Sequence, residues 1–314
     1  MLVIKENFKT KLEYPTYIAL GSFDGLHLGH MSLINKTVEL AKNNSAKSMI
    51  CTFENHPLSI INQEICPKLI MDNDTKIDLL ENTGIDIVNL VSFDKEFMKL
   101  TPEEFIKNMV NFYNAEGIVV GFNYRFGYKN LGDVEMLQKY SSILGYKLYV
   151  CEAITTNHEI VSSSKIRHLI AEGNITKANE LLGRPHTTIG KVIKGKQLGR
   201  SIGFPTVNLN YNKKYIIPKG GVYYTVVEYD NHTYKAITNI GYNPTVQGGK
   251  LSVETHILNF DKQIYDEVVK IYFINRIRDE VKFDTIDELK KQLLKDKAYA
   301  FRKKEHDLKI KIEK

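Results

Sequence analysis

Between residues 17 and 153 short apolar runs alternate with amphipathic stretches, and this alternation restricts the fold more than any other feature of the chain. The apolar runs Tyr17–Leu20, Ser48–Phe53, Ile85–Val91, Gly117–Val120 and Lys147–Cys151 have strand length. Between them Ser32–Lys42, Thr75–Asn82, Pro102–Phe112 and Asp133–Leu144 carry apolar residues at helical spacing. Strands that alternate with helices predict an α/β unit, a parallel sheet with helices on both faces. In such a sheet ligands bind beyond the carboxyl ends of the strands.

After Ile154 the pattern changes. Ser162, Ser163 and Ser164 offer capping hydroxyls, and Lys165–Glu172 and Ile175–Leu182 read as two short helices ending at Gly183. Strand-like runs then dominate: Thr187–Val192, Val222–Glu228, His232–Ile240, Ser252–Leu258 and Glu267–Asn275. The second half is therefore expected to form an antiparallel barrel or sandwich, with an amphipathic helix near Ile286–Arg302 packing Leu289, Leu293 and Leu294 against it. We place the domain boundary between 184 and 185, giving domains 1–184 and 185–314. A chain of 314 residues accommodates two cores of that size.

Composition narrows the function classes. Hydrophobic residues at 43% and charged residues at 25% exclude disordered and fibrous chains. Cys51, Cys66 and Cys151 show no C-x-x-C spacing, so no disulfide framework or zinc site is indicated. The N-terminus lacks the apolar core of a signal peptide, and no stretch approaches the roughly 20 apolar residues of a membrane span. A cytoplasmic protein with no membrane partner is expected. A net charge of +6 suits anionic ligands and equally suits weak nucleic-acid binding, but much of the excess lies in the tail from Phe301 to Lys314, which reads as a solvated helix face.

Gly21-Ser22-Phe23-Asp24-Gly25-Leu26-His27-Leu28-Gly29-His30 follows the first long strand and leads into a helix. Small residues let the backbone approach phosphates, and the helix start presents free N–H groups. His27 and His30 fall on one side of the first turn. An isolated H-x-G-H is more often surface or core; between a strand and a helix it points to phosphate. No Walker loop and no G-x-G-x-x-G fingerprint stands here. Attack on an α-phosphate with departure of pyrophosphate fits these residues, which supply positioning and charge stabilisation.

Farther on, Gly199-Arg200-Ser201-Ile202-Gly203-Phe204-Pro205-Thr206-Val207-Asn208-Leu209 joins a glycine-rich loop to an extended segment. There Thr206 and Asn208 face one side, and their oxygens suit Mg²⁺ bridging ATP phosphates. A turn followed by an edge strand describes the same composition equally well.

Together these residues resemble a known family. The H-x-G-H segment resembles the nucleotidylyltransferase superfamily. With Phe53-Glu54-Asn55-His56-Pro57, Gly121-Phe122-Asn123-Tyr124-Arg125-Phe126-Gly127 and Val161-Ser162-Ser163-Ser164-Lys165-Ile166-Arg167, it is similar to the N-terminal domain of prokaryotic bifunctional riboflavin kinase/FMN adenylyltransferases. G-x-x-G-F-P-T-x-N is the riboflavin kinase signature. It is followed in family order by Gly220-Gly221-Val222-Tyr223, by Asn239-Ile240-Gly241-Tyr242-Asn243-Pro244-Thr245 and by Val253-Glu254-Thr255-His256-Ile257-Leu258-Asn259-Phe260.

The resemblance implies a Rossmann-like nucleotidylyltransferase domain with a parallel sheet, followed by an antiparallel β-barrel riboflavin kinase domain ending in a helix. It implies ATP-dependent phosphorylation of riboflavin to FMN, then adenylyl transfer to FMN giving FAD and pyrophosphate, with Mg²⁺ as cofactor. It places His27 and His30 on ATP phosphates with Gly21, Phe23 and Asp24 in the same loop. Asn123 falls near the nucleotide or flavin, and Ser163, Ser164 and Arg167 on phosphate. Gly203, Thr206 and Asn208 bind ATP, Thr206 and Asn208 hold the metal, and Glu254 is the general base for the riboflavin 5′-hydroxyl. Without the resemblance Glu254 reads as a cross-strand surface residue, and Asn123 as part of a loop packed by its own aromatics. Departures fall at Ser164 for Thr, Asn123 for Asp, Asn243 for Arg, Asn259 for Asp and Asp266 for Gly. A flavin-binding regulator that uses its basic tail on RNA is the competing class; intact polar residues at both sites argue against it, and no nucleic-acid partner is expected.

Overall fold

The computed structural model describes residues 1–157, 159–195, 198–243 and 250–303, and packing divides the chain into two compact units, Met1–Ser162 and the remainder from Ser163.

The first unit holds a six-stranded sheet of β1 (Leu2–Ile4), β2 (Thr16–Leu20), β3 (Lys47–Phe53), β4 (Ile87–Val91), β5 (Ala115–Gly121) and β6 (Lys147–Cys151). All pairings are parallel and the spatial order is β1-β4-β3-β2-β5-β6. The expected strands are all present; β1, a three-residue edge strand, was not anticipated because so short a run has no period to read. Strand alternation sorts the buried side chains onto two faces. Ile18 and Leu20 join Met49, Ile118, Val120 and Tyr113 on one, while Ala19 joins Ile50, Val88, Ile34 and Phe23 on the other. β5 passes close to its neighbour at Gly117, where any Cβ would collide with the Tyr17 ring.

Helices α1 (Leu28–Asn43), α2 (Leu58–Ile61), α3 (Asn73–Glu81), α4 (Pro102–Tyr113) and α5 (Val134–Leu144) connect the strands. The starts of α3, α4 and α5 are capped as the sequence dictates. Asp72 accepts from the Thr75 N–H at 2.7 Å, Asp133 from Met136 at 2.9 Å, and Thr101 and Glu104 form a reciprocal capping box with Pro102 at the first turn. A short hairpin, β7 (Thr155–Thr156) with β8 (Glu159–Ile160), precedes the end of this unit.

In the second unit β9 (His186–Ile193), β10 (Val207–Tyr211), β11 (Gly221–Tyr229), β12 (His232–Asn243), β13 (Lys250–Ile257) and β14 (Val268–Arg278) close into a barrel in the order β10-β13-β12-β11-β14-β9. Closure removes the sheet edges. Inside, Thr225, Thr238 and Thr255 link Oγ1 to Oγ1 at 2.8 and 2.9 Å, so three buried hydroxyls satisfy one another. His186 lies in the same interior, its Nε2 3.2 Å from the Ile216 carbonyl, and burial pushes its pKa down to about 4.

α6 (Ser163–Ala171) and α7 (Ile175–Leu182) pack with this barrel. Asn179 of α7 donates to the Phe273 carbonyl at 2.8 Å and accepts from the His186 N–H at 2.7 Å. α8 (Leu198–Ser201) is a single turn, and α9 (Ile286–Arg302) spans the range expected for the final helix.

The expected apolar contact of α9 is corrected in one respect: Leu294 is exposed, while Asp296 and Ala300 are buried. Asp296 accepts from Arg278 Nη2 at 2.7 Å and from Gln292 at 2.9 Å, so an ion pair holds the middle of the helix to β14. Removing the carboxylate strands a largely buried guanidinium. Asp296→Ala is therefore expected to lower the unfolding free energy of the second unit by about 2–4 kcal/mol in urea titration.

Candidate functional sites

In the first unit the strand order reverses at β2, which has β3 on one side and β5 on the other. Ligand crevices open at such a point. Residues 21–27 leave the end of β2 there, and residues 121–126 leave the end of β5. The first loop turns tightly, with positive φ at Phe23, Gly25 and Leu26. It delivers His27 as the N-cap of α1, its Nδ1 accepting from the His30 N–H at 3.3 Å. The imidazoles of His27 and His30 stack with centroids 3.6 Å apart, and the Phe23 ring meets His30 edge-on at 5.2 Å. Two imidazoles, His27 buried and His30 half-buried, thus stand at a helix start, whose dipole favours negative charge.

Phe23 and Asp24 turn their side chains inward. Phe23 is fully buried, and Asp24 accepts from the Ile70 N–H at 3.0 Å. Beneath the loop, sequence reading missed Lys76. It is buried in α3, its Nζ lies 3.5 Å from the Ser22 carbonyl, and Thr52 Oγ1 donates to that same carbonyl at 2.8 Å. Burial pushes the Lys76 amine down to about 8, against the pull of Asp24 and Asp72. A lysine on the packed face of a short helix carries no signal in a single sequence.

Asn123 is exposed on the loop after β5, where Tyr124 and Phe126 stack with centroids 5.6 Å apart. Ser163, Ser164 and Arg167 occupy the first turns of α6, at the start of the second unit.

In the second unit the antiparallel register sets Asn208 opposite Glu254, and Glu254 opposite Asn239. Directly opposed residues share a face with Cβ atoms about 5 Å apart. Because Val253, Thr255 and Ile257 point into the barrel, Glu254 and His256 must point out of it. They line a cavity of about 260 Å³ on the barrel's outer face, together with Thr206 and Asn239. Apolar walls come from Phe204 of the glycine-rich loop, Val222 and Ile237 of the barrel, and Leu289 and Leu293 of α9, with Arg278, Glu280 and Asp296 also lining it.

The loop itself folds on Gly199, whose carbonyl accepts from the Phe204 N–H at 2.8 Å. A side chain at Gly199 would strike the Phe204 carbonyl. Gly203 has φ +84°, which is what requires glycine there. Thr206 and Asn208 supply hard oxygen donors, which suit Mg²⁺. Among the described residues no group of three or more His, Cys, Asp or Glu side chains is arranged to hold a metal, so a cation here would depend on the phosphates of its ligand.

Of the departures, Asp266 adopts φ +69° and Asn259 φ +56°, both left-handed. That conformation explains why glycine is usual at 266, and Asp and Asn tolerate it better than most residues. Asn243 ends β12, and Pro244, Thr245 and the tail beyond residue 303 lie outside the described residues. Asn239, His256, Arg278 and Asp296 at the cavity were not singled out from the sequence; for His256 the two-residue strand period from Glu254 was the available signal.

Two candidate sites, one at a switch point and one against a closed barrel, fit the class of two-site enzymes of phosphate-ester transfer. Comparison makes this specific. The family model for FAD synthetase matches residues 9–165, and that for riboflavin kinase matches residues 182–303. Bifunctional riboflavin kinase/FMN adenylyltransferases of Listeria monocytogenes and Bacillus subtilis are 36% and 35% identical, covering 89% and 91% of this chain and the same shares of their own. The chain belongs to the family of bifunctional riboflavin kinase/FMN adenylyltransferases. A crystal structure from Streptococcus pneumoniae, described as a macrolide-efflux protein, matches 97% of this chain and 100% of its own at 30% identity with TM-score 0.88. In the present chain no helix among the described residues is long and apolar enough to cross a membrane.

His27 has two jobs, capping α1 and presenting an imidazole, and substitution separates them. Asn is a good N-cap and Ala is not. His27→Asn is expected to melt within about 0.5 kcal/mol of wild type and His27→Ala about 1 kcal/mol lower. Both are expected to lose FAD formation from FMN and ATP.

Proposed function

We propose that this chain makes flavin nucleotides in two steps, phosphorylating riboflavin to FMN in the barrel domain and adenylylating FMN to FAD in the parallel-sheet domain. The observation that carries the first step is the outward row Asn208–Glu254–Asn239 beside an apolar cavity. A planar apolar ring system with a polyol tail needs such walls, and its terminal hydroxyl needs a carboxylate.

In the kinase step Glu254 accepts the 5′-hydroxyl proton as that oxygen attacks the γ-phosphorus of ATP. The bond to the β,γ-bridging oxygen breaks and ADP leaves. The backbone of the Gly199–Gly203 loop covers the phosphates. Thr206 and Asn208 would hold Mg²⁺, which when bound would neutralise charge on the phosphate oxygens.

In the adenylyl step an FMN phosphate oxygen attacks the α-phosphorus and pyrophosphate leaves. His27 and His30 steady the phosphate charge at the start of α1, with the backbone of Gly21–Asp24 alongside. Asn123 contacts nucleotide or flavin, and Ser163, Ser164 and Arg167 bind phosphate at the start of α6. As functional domains we keep residues 1–184 and 185–314, although α6 and α7 pack on the barrel. Cytoplasmic residence fits ATP as the co-substrate.

Incubation with riboflavin, ATP and Mg²⁺, with FMN and FAD resolved chromatographically over time, tests the reading. FMN should appear first and FAD after it. Glu254→Gln is expected to slow FMN formation by roughly 10²- to 10⁴-fold while FMN supplied directly is still converted to FAD. His30→Ala should do the reverse, accumulating FMN. Near-wild-type phosphorylation by Glu254→Gln would remove the base from this account.

A further inference from the structure

His256 lies two residues beyond Glu254 on the same outward face, and the kinase mechanism above does not use it. Its Nδ1 is 2.8 Å from the carbonyl oxygen of Pro205, so the ring carries its proton there and donates it. Pro205 has no N–H of its own and immediately precedes Thr206. At the far side of the ring, Nε2 is buried and makes no hydrogen bond in the structure. A buried ring nitrogen without a hydrogen bond costs free energy, and the Nδ1 bond offsets part of that cost.

The ring is also wedged. Phe204 meets it edge-on at 5.3 Å, and Lys297 of α9 stands 6.0 Å from the centre of the Phe204 ring. Burial pushes the His256 pKa down, the Pro205 bond works against it, and the positive charge of Lys297 adds to the burial. The β10–β13 ladder begins at Val207, paired with Thr255, which leaves Pro205 and Thr206 just ahead of it.

We propose that His256 is a positioning residue for phosphoryl transfer: its Nδ1–H bond to the Pro205 carbonyl extends the β10–β13 pairing by one step and fixes Thr206 relative to Asn208 and Glu254. The role rests on the kinase reading of this site. The imidazole acts through the backbone. Its loss falls on the ATP and Mg²⁺ side of the reaction, leaving the apolar walls that receive the flavin ring intact.

Amide substitutions separate this role from packing. The Asn amide nitrogen occupies the place of Nδ1, and the Gln amide nitrogen the place of Nε2. His256→Asn is expected to keep the Pro205 bond and to phosphorylate riboflavin within about twofold of wild type. His256→Gln is expected to raise the KM for ATP and the Mg²⁺ concentration for half-maximal rate by about five- to tenfold, with little change in the KM for riboflavin. Melting curves of both variants, and FAD formation from supplied FMN, report whether the chain is folded. Equal losses in the Asn and Gln variants, or a Gln variant with unchanged ATP and Mg²⁺ dependence, would overturn the positioning role while leaving the kinase reading standing. Absence of FMN from the wild-type protein would instead overturn the kinase reading and the role together.

Discussion

One register in the barrel governs the second site. β10 runs against β13 with Val207 facing Thr255 and Asn208 facing Glu254, and the same row continues to Asn239 on β12. Side chains alternate with period two, so a slip of one residue would put Glu254 inside the barrel and a threonine hydroxyl in its place. The interior opposes such a slip. Thr255 is bound through Thr238 to Thr225, and a slipped strand would lose the Thr238–Thr255 bond and bury a carboxylate among Val227, Phe273 and Ile271. The polar chain inside the barrel thereby selects which polar groups stand outside it.

The first site uses a different device. A parallel strand buried on both faces, Thr16–Leu20, ends where the sheet changes direction, and the chain must turn at once to start α1. The turn is held from below: the Ser22 carbonyl takes the Thr52 hydroxyl and faces the Lys76 ammonium, while Asp24 is drawn in to the Ile70 N–H. His27 is buried and His30 half-buried, their rings stacked at the start of α1. Phe23 and Asp24 thus shape the loop through their buried side chains.

Much of this was legible in the sequence because period and punctuation are local signals. Alternating runs gave the parallel sheet, and α4 begins at the Thr101-Pro102 signal and α7 stops at Gly183 as their residue types dictate. What was not legible depended on contacts made at a distance. Leu294 looked like a core residue by composition, yet the phase of α9 is set by Asp296, whose partner Arg278 lies in another strand. Lys76 carries no signal of its own, and only the fold lays α3 beneath the loop after β2. Asp24 looked like a phosphate-loop side chain, and only the fold brings the Ile70 N–H to meet it.

Both sites follow from a shared physical demand. Phosphoryl and adenylyl transfer ask little covalent chemistry of a protein and much exact placement of charge. A helix start supplies that placement through N–H groups whose positions are set by the first turn, and a closed barrel supplies it through register. The glycine-rich loop at the barrel belongs to neither device until something ties it down. That is why a strand histidine with one nitrogen committed to Pro205, and the other left bare, bears on the chemistry: it carries the rigidity of β13 one residue past the end of the ladder, to the point where the threonine hydroxyl must be held.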